Sequence, residues 1–511
     1  MSYIKHTHIT GRRTIDRFCE KENERMEETN SKCIVTNAIL NTAKTVLGIL
    51  FPLITYPYVS RVLGVKNLGI YTFSYSFLSY FLLLASLGVS TYGIREGTQY
   101  RDDKQKIESF VSELFSINIL STIVAYILLA VFLYAIPAMT PYRKVVLILC
   151  VEILFTTLGV SWVCNIYEDF LAIAVRTIAF QILSLVLILA FVRSSNDLYK
   201  YVSILLLSNS GANLVNYFYI RKKYCRFHFT LHIDWKKHLK PILIIFSTTV
   251  AITVYVSSDT TMLGFMTDDY QVGLYGTAVK IYTIIKNVLT AILMVLIPQF
   301  TLMFSRKNRK ETDDLFSRVF SILTVLMLPM CVGLFSLSDD IVLLLFGTDY
   351  YESAAPLRLL SIAVAFSLYA CLYTQCVLFP IKKEDIVFKA TVISAIANIA
   401  MNFLLIPLWG INAAALTTII AELITFAITF SYSRNSVSLV GVGKTLTSTI
   451  LGCIGIFVTC LACRALDSLI IRILISVLGS VVVYLAVLLI TRNPVLGQIR
   501  KMIFNRGRGS M

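Results

Sequence analysis

The chain is short of charge. Of its 511 residues, 15% are Asp, Glu, Lys or Arg, and 57% are hydrophobic. Soluble domains carry roughly 25% charged residues, so a large soluble enzyme is excluded at the outset. Long polar loops are missing too. Beyond residue 33 no connection exceeds about twenty residues, which leaves no room for a soluble catalytic domain. Acid is scarcer than base: 46 Lys and Arg stand against 30 Asp and Glu, a net charge of +16. In a chain this apolar, such an excess marks cytoplasmic loops and anionic headgroups, so no nucleic-acid partner is expected.

Several motifs are absent. Residues 1–32 carry seven Lys/Arg and six Asp/Glu with no apolar stretch, so they read as a polar cytosolic tail and not a signal peptide. Cys460 and Cys463 form a CxxC, but no second pair accompanies them, which argues against zinc or redox chemistry. Gly441-Val-Gly-Lys444-Thr445 looks like a phosphate loop, yet Ser438 stands where its first glycine is required. No ATPase is expected. His228 and His232 are four apart without an acidic or cysteine partner, so no metal site is read there. With no Ser/His/Asp pattern, the chain is expected to be no enzyme and to need no cofactor.

What the chain does have is apolar runs. About fourteen are near the ~20 residues a bilayer core requires: 34–58, 70–92, 110–136, 144–164, 170–192, 199–220, 241–258, 275–300, 315–337, 356–379, 387–408, 411–432, 445–463 and 470–490. Backbone groups in lipid must pair internally, and these runs are too long for barrel strands, so an all-α polytopic membrane protein is expected. With the N-terminus inside, cytoplasmic segments hold 31 Lys/Arg and the opposite loops hold 7. That bias places both termini in the cytoplasm.

The segment 221–240, RKKYCRFHFTLHIDWKKHLK, follows six runs and is basic and aromatic. It reads as an interfacial linker between two six-helix lobes. The expected organisation is a tail (1–32), a first lobe (33–220), the linker (221–240), a second lobe (241–432), two extra helices (433–490) and a basic tail (491–511). An internal echo supports it. RVLGVKNLGIYTFS (Arg61–Ser74) and TMLGFMTDDYQVGLYGTA (Thr261–Ala278) share a Leu-Gly, a polar gap and a Gly-aliphatic-Tyr. Such an echo implies parallel repeats about an axis along the membrane normal.

Charges inside the runs are costly and usually face a watery interior. Arg318, Arg358, Lys389 and Arg472 lie near run ends and can snorkel. Lys44, Arg176, Lys280 and Lys286 lie deeper. Lys280 and Lys286 are six residues apart, about 120° around a helix, so both could border one cavity without facing each other. The acids are Glu152, Asp259 and Glu422; each could pair with a base or carry a coupling ion. Four deep bases against these three acids suit an anionic substrate such as a phosphate or pyrophosphate.

At these residues a resemblance appears. Arg61–Glu96, Ser161–Val192 (SWVCNIYEDFLAIAVRTIAFQILSLVLILAFV) and His238–Ile281 are similar to segments of bacterial polysaccharide flippases, which handle O-antigen or capsule repeat units. With helix count and linker position, the resemblance covers nearly all of 33–490. That family belongs to the multidrug/oligosaccharidyl-lipid/polysaccharide exporter superfamily. The resemblance implies two six-helix lobes in a V, two extra helices, and alternating access. It implies transfer of an undecaprenyl-pyrophosphate-linked oligosaccharide to the outer leaflet of the bacterial inner membrane. It implies that Arg61, Arg95, Arg176, Asp259 and Lys280 occupy recurrent charged positions, and that Lys44 is a cavity base. Membrane lipids, and possible polymerase and glycosyltransferase partners, follow from the same resemblance. The polar extension over 1–32 departs from the family pattern. A peptidoglycan-precursor flippase and a cation-coupled small-molecule exporter are the rival transporters. A membrane-embedded glycan polymerase or ligase is the rival of another class, though it would commonly need a larger outer loop.

Overall fold

The computed structural model describes Gly48 and residues 51–294, 296–306 and 308–497. The expectations for residues 1–32 and Lys44, and for most of the basic C-terminal tail, fall outside these described residues. Within them every regular element is helical. Ten helical stretches are long and apolar enough to cross a membrane. Many of their large apolar side chains point outward, as on the last of them, where Leu478, Val482 and Ile490 are more than half exposed. Side chains of that kind belong in lipid.

The first half comprises α1 (51–86), α2 (Val89–Gly97), α3 (Lys104–Ala135), α4 (Arg143–Leu149), α5 (Val151–Gly159), α6 (Trp162–Ile166), α7 (Phe170–Phe191) and α8 (Leu198–Lys223). The second comprises α9 (Trp235–Met266), α10 (Asp269–Met294), α11 (Ile297–Ser305), α12 (Arg309–Ser336), α13 (Ser338–Phe346), α14 (Ala354–Tyr373) and α15 (Glu384–Ser433). Two helices follow, α16 (Gly443–Cys463) and α17 (Leu469–Ile490), packed on each other and on α12. Within the first half α8 packs on α5 and α7; within the second α15 packs on α9 and α14.

The sequence explains the element ends. Asp103, Asp169, Asp234 and Asn308 each accept a backbone N–H in the first turn of α3, α7, α9 and α12. These four caps satisfy donors that a helix end otherwise leaves unpaired. α1 and the 50-residue α15 each conceal a reversal. Gly64 (φ +76°) lies inside α1 and Gly410 (φ +54°) inside α15. Only glycine takes that backbone cheaply, so each position ends one crossing and begins the next. These two turns match the breaks expected between the first and second runs and between the eleventh and twelfth. The run expected over 144–164 is instead broken, passing from α4 to α5 at Cys150 and ending at Val160 (φ +41°).

The basic segment departs from an interfacial amphipathic stretch. Residues 224–234 carry no helix and lie against α3. Their side chains alternate, Cys225 and Phe227 buried, Arg226 and His228 exposed. Three amides donate to side chains one helical turn apart: Arg226 N to Glu108 Oε1 (2.9 Å), His228 N to Ser112 Oγ (3.3 Å) and Thr230 N to Ser116 Oγ (2.8 Å). Two extended residues rise about 6.6 Å and four helical residues about 6 Å, so the repeats stay in register. Fully buried His238 ends the segment. Its Nδ1 lies 3.0 Å from Tyr92 Oη and its Nε2 lies 3.1 Å from Glu113 Oε2. Because the run is extended, His228 and His232 do not share a helical face.

Candidate functional site

The two echoing sequence segments meet. A Cβ on Gly69 would lie 1.8 Å from the carbonyl oxygen of Asp269, and one on Gly273 would lie 2.2 Å from that of Val65. Each segment's glycine thus receives the other's backbone. Around this crossing, hydroxyl groups tie α1 to α9 and α10. Ser76 Oγ donates to Ser257 O (2.9 Å), and Tyr80 Oη donates to Thr261 Oγ1 (3.2 Å). Tyr142 Oη donates to Asp269 Oδ1 (2.6 Å), and Tyr350 Oη donates to Ser60 O (3.0 Å). This is the side predicted to face outward.

Arg61 belongs to the same closure. Its guanidinium donates from Nε to Leu345 O (3.2 Å) and from Nη2 to Leu344 O (2.5 Å), capping the C-terminus of α13. A cation suits that end of a helix. Arg95 is exposed and pairs with its neighbour Glu96 (3.1 Å). Arg176 lies between α7 and α8. It donates to Ala172 O (2.7 Å) and Asn216 Oδ1, and its guanidinium stacks 4.1 Å from the Tyr219 ring. Tyr219, Tyr224 and Lys223 in turn donate to Asp169. Burial would raise the Asp169 carboxyl, but these three donors outweigh it and hold it well below the usual range. Arg61, Arg95 and Arg176 are therefore not brought together with the two lysines of α10.

Those lysines face different neighbours, as their spacing requires. Lys286 Nζ lies 2.9 Å from Glu422 Oε1, and Tyr282 Oη donates to the same oxygen (2.8 Å). Lys280 is half-buried, and its ammonium lies 5.8 Å from the centroid of the Tyr56 ring. Among the described residues it has no carboxylate partner and no hydrogen-bond acceptor.

Asp259 is buried on α9 and has no basic partner among the described residues. Tyr275 Oη (2.8 Å) and Thr418 Oγ1 (2.7 Å) donate to Oδ2, and Asn402 Nδ2 (2.6 Å) donates to Oδ1. Asp259, Glu422 and Lys286 line one cavity of about 70 Å³, with Tyr255, Asn398 and Thr418. Glu152 lies elsewhere, in the first half beside Tyr75. Of the nine expected site residues the structure thus joins Asp259, Lys286 and Glu422, keeps Lys280 and Glu152 apart from them, and scatters the arginines; Lys44 lies outside the described residues. The neutral donors Tyr275, Tyr282, Asn402 and Thr418 escaped the sequence reading. Their signal was present as polar residues inside apolar runs, Asn398 and Asn402 standing one turn apart in one of them.

The Glu422–Lys286 pair is testable by itself. Removing one partner of a buried ion pair strands the other. Glu422→Gln should destabilise the purified protein by about 3 kcal/mol, and adding Lys286→Met should recover most of the loss. Equal melting temperatures for wild type and the single variant would show that the pair is not coupled.

Comparison with known proteins decides the assignment. The profile of a family described as "Polysaccharide biosynthesis protein" matches residues 34–304, over half the chain. The chain belongs to that family. A putative O-antigen transporter of Escherichia coli strain K12 is 22% identical over 437 residues, covering 81% of this chain and 99% of that protein. A probable low-salt glycan biosynthesis flippase of Haloferax volcanii is 23% identical over 186 residues, covering 36% and 39%. Among solved structures, the lipid II flippase MurJ superposes with a TM-score of 0.70 at 17% identity, covering 90% of this chain and 99% of that one. A multidrug resistance MATE family transporter, described as of the MOP superfamily, gives 0.61 at 12%, covering 78% and 97%. These last two likenesses establish the fold of this family member, an all-α polytopic membrane protein.

Proposed function

We propose that the chain is a flippase that carries an undecaprenyl-pyrophosphate-linked oligosaccharide repeat unit from the cytoplasmic to the outer leaflet by alternating access. One observation carries the anionic part of this reading: Lys280 sits half-buried between the halves with no counter-charge among the described residues. A cation kept in such a place without a partner is expensive, and a pyrophosphate is the natural group to complete it. The relatives named as an O-antigen transporter and a glycan flippase supply the class of substrate. Asp259 is the candidate for a coupling ion, because its carboxylate is held by neutral donors and forms no ion pair among the described residues. The lobe division at 221–240, both termini in the cytoplasm and placement in a bacterial inner membrane belong to the same reading. So do glycosyltransferases acting before this step and a polymerase after it.

The test is transfer in sealed vesicles. Purified protein should move lipid-linked oligosaccharide out of reach of an external glycosidase, and Asp259→Asn should abolish the response to an imposed ion gradient. A peptidoglycan precursor moved equally well would favour the rival flippase reading. No leaflet transfer of either lipid would refute both.

A further inference from the structure

Glu152 is the one deep carboxylate that neither the ion pair nor the coupling site uses. It lies on α5 and is 6% exposed. Its Oε1 accepts a long hydrogen bond from Tyr75 Oη, 3.5 Å. Its Oε2 is buried and has no hydrogen-bond partner within 3.5 Å among the described residues. Buried carboxylate oxygens rarely go unpaired, since each forgoes the water it held in the unfolded chain.

The side chains around it are aromatic and neutral. Tyr75 and Tyr71 stand one helical turn apart on α1 with rings 5.9 Å apart, and Tyr71 meets Tyr201 of α8 edge-on at 5.4 Å. Tyr71 and Tyr75 pack against the core but are not fully buried. Asn209 of α8 is exposed and its amide faces the Glu152 carboxylate. Tyr56 joins this patch to Lys280. It is a neighbour of both Tyr71 and Tyr201, and its ring lies under the Lys280 ammonium.

These groups have a definite chemistry. A carboxylate accepts hydroxyl protons, an amide both donates and accepts, and tyrosine rings pack on apolar faces while their hydroxyls bond at the edge. Among the described residues no cation pairs with Glu152, so a phosphate placed here would meet its carboxylate and be repelled. A neutral polyhydroxyl ring would satisfy Oε2 and cover the tyrosine faces. We infer that Tyr71, Tyr75, Glu152 and Asn209 form a saccharide subsite beside Lys280. This inference rests on the flippase reading and deepens it: the sugars nearest the pyrophosphate lie on the tyrosine patch while the pyrophosphate meets Lys280. An anion-binding group and an anion-repelling group on either side of Tyr56 would also fix which way round the substrate enters.

The experiment compares two probes on the full chain in nanodiscs: bare undecaprenyl pyrophosphate, and the same lipid carrying the oligosaccharide that accumulates when the chain is deleted. Wild type should bind the glycosylated probe about tenfold more tightly. Glu152→Gln and Tyr75→Ala should each erase that gain and leave bare-lipid binding intact, while Tyr75→Phe, which keeps the ring, should retain most of it. An undiminished gain in Glu152→Gln overturns the subsite. So does equal weakening of both probes, which would mark Glu152 as structural. So does a preserved gain with lost pH dependence of transfer, which would mark it as an ion site. Lys280→Gln separates the two levels: if it leaves bare-lipid binding unchanged, the reading beneath the inference fails, whatever Glu152 does.

Discussion

Lys280→Gln should lower transfer of lipid-linked oligosaccharide on the order of a hundredfold while leaving the melting temperature unchanged or raised. Both halves of the expectation follow from its surroundings. Loss of a desolvated charge contact costs about 2–5 kcal/mol of binding, and each ~1.4 kcal/mol is tenfold. Among the described residues, however, the ammonium meets the Tyr56 ring face and no acceptor. Removing a half-buried charge that nothing neutralises relieves a desolvation cost and strands no partner. Lys280→Glu should stop export outright, with lipid-linked sugar accumulating on the cytoplasmic side, and Lys280→Arg should keep a fraction of the activity. Activity and stability that fall together would make Lys280 a structural residue. Surface glycan at wild-type level in the Lys280→Glu strain would remove it from the substrate path. Glu422→Gln, whose partner Lys286 is left uncompensated, is the contrasting case: there stability should fall.

The second large effect is expected at the glycine crossing. Gly69→Ala and Gly273→Ala put a methyl carbon 1.8 and 2.2 Å from the backbone oxygens of Asp269 and Val65, far inside van der Waals contact. Helix backbones cannot yield as side-chain ends do, so α1 and α10 must separate. Overpacking of this kind costs about 1–3 kcal/mol, enough to shift a two-state equilibrium about tenfold or more. A cysteine at Thr277, buried beside Tyr56, should then react about tenfold faster with a membrane-impermeant maleimide added outside. Gly333→Ala is the control, since its Cβ would meet no atom within 4 Å. Equal reactivity in all three would show that the crossing is not the outer closure. Reaction only from the inside would reverse the proposed orientation.

Much of this protein was legible in its sequence because the bilayer leaves few solutions. Apolar runs near the required length, separated by charged or glycine-bearing breaks, locate most crossings to within a few residues. Gly64 and Gly410 show how little chain a reversal needs. The six-residue spacing of Lys280 and Lys286 left room for both at one cavity, whereas the structure gives them separate neighbours, Tyr56 and Glu422. Pairing across the fold was not legible. Arg358 and Arg472 looked able to snorkel, yet they pair with Asp339 and Asp340 of α13. Nor could hydropathy tell a slack linker from a docked one, because the buried–exposed alternation spans only residues 225–228.

That docked segment changes where the protein can bend. A rope between two bodies lets them move independently; a ruler fastened to one of them does not. Residues 226–230 are pinned to α3 at the helix's own spacing, and His238 is clamped by Tyr92 and Glu113. The first turns of α9 therefore travel with the first half of the chain, although they belong in sequence to the second. Any rocking must be taken up farther along α9, beyond the clamp, so that this helix acts as a cantilever whose fixed end lies in one half and whose free end carries Asp259 in the other.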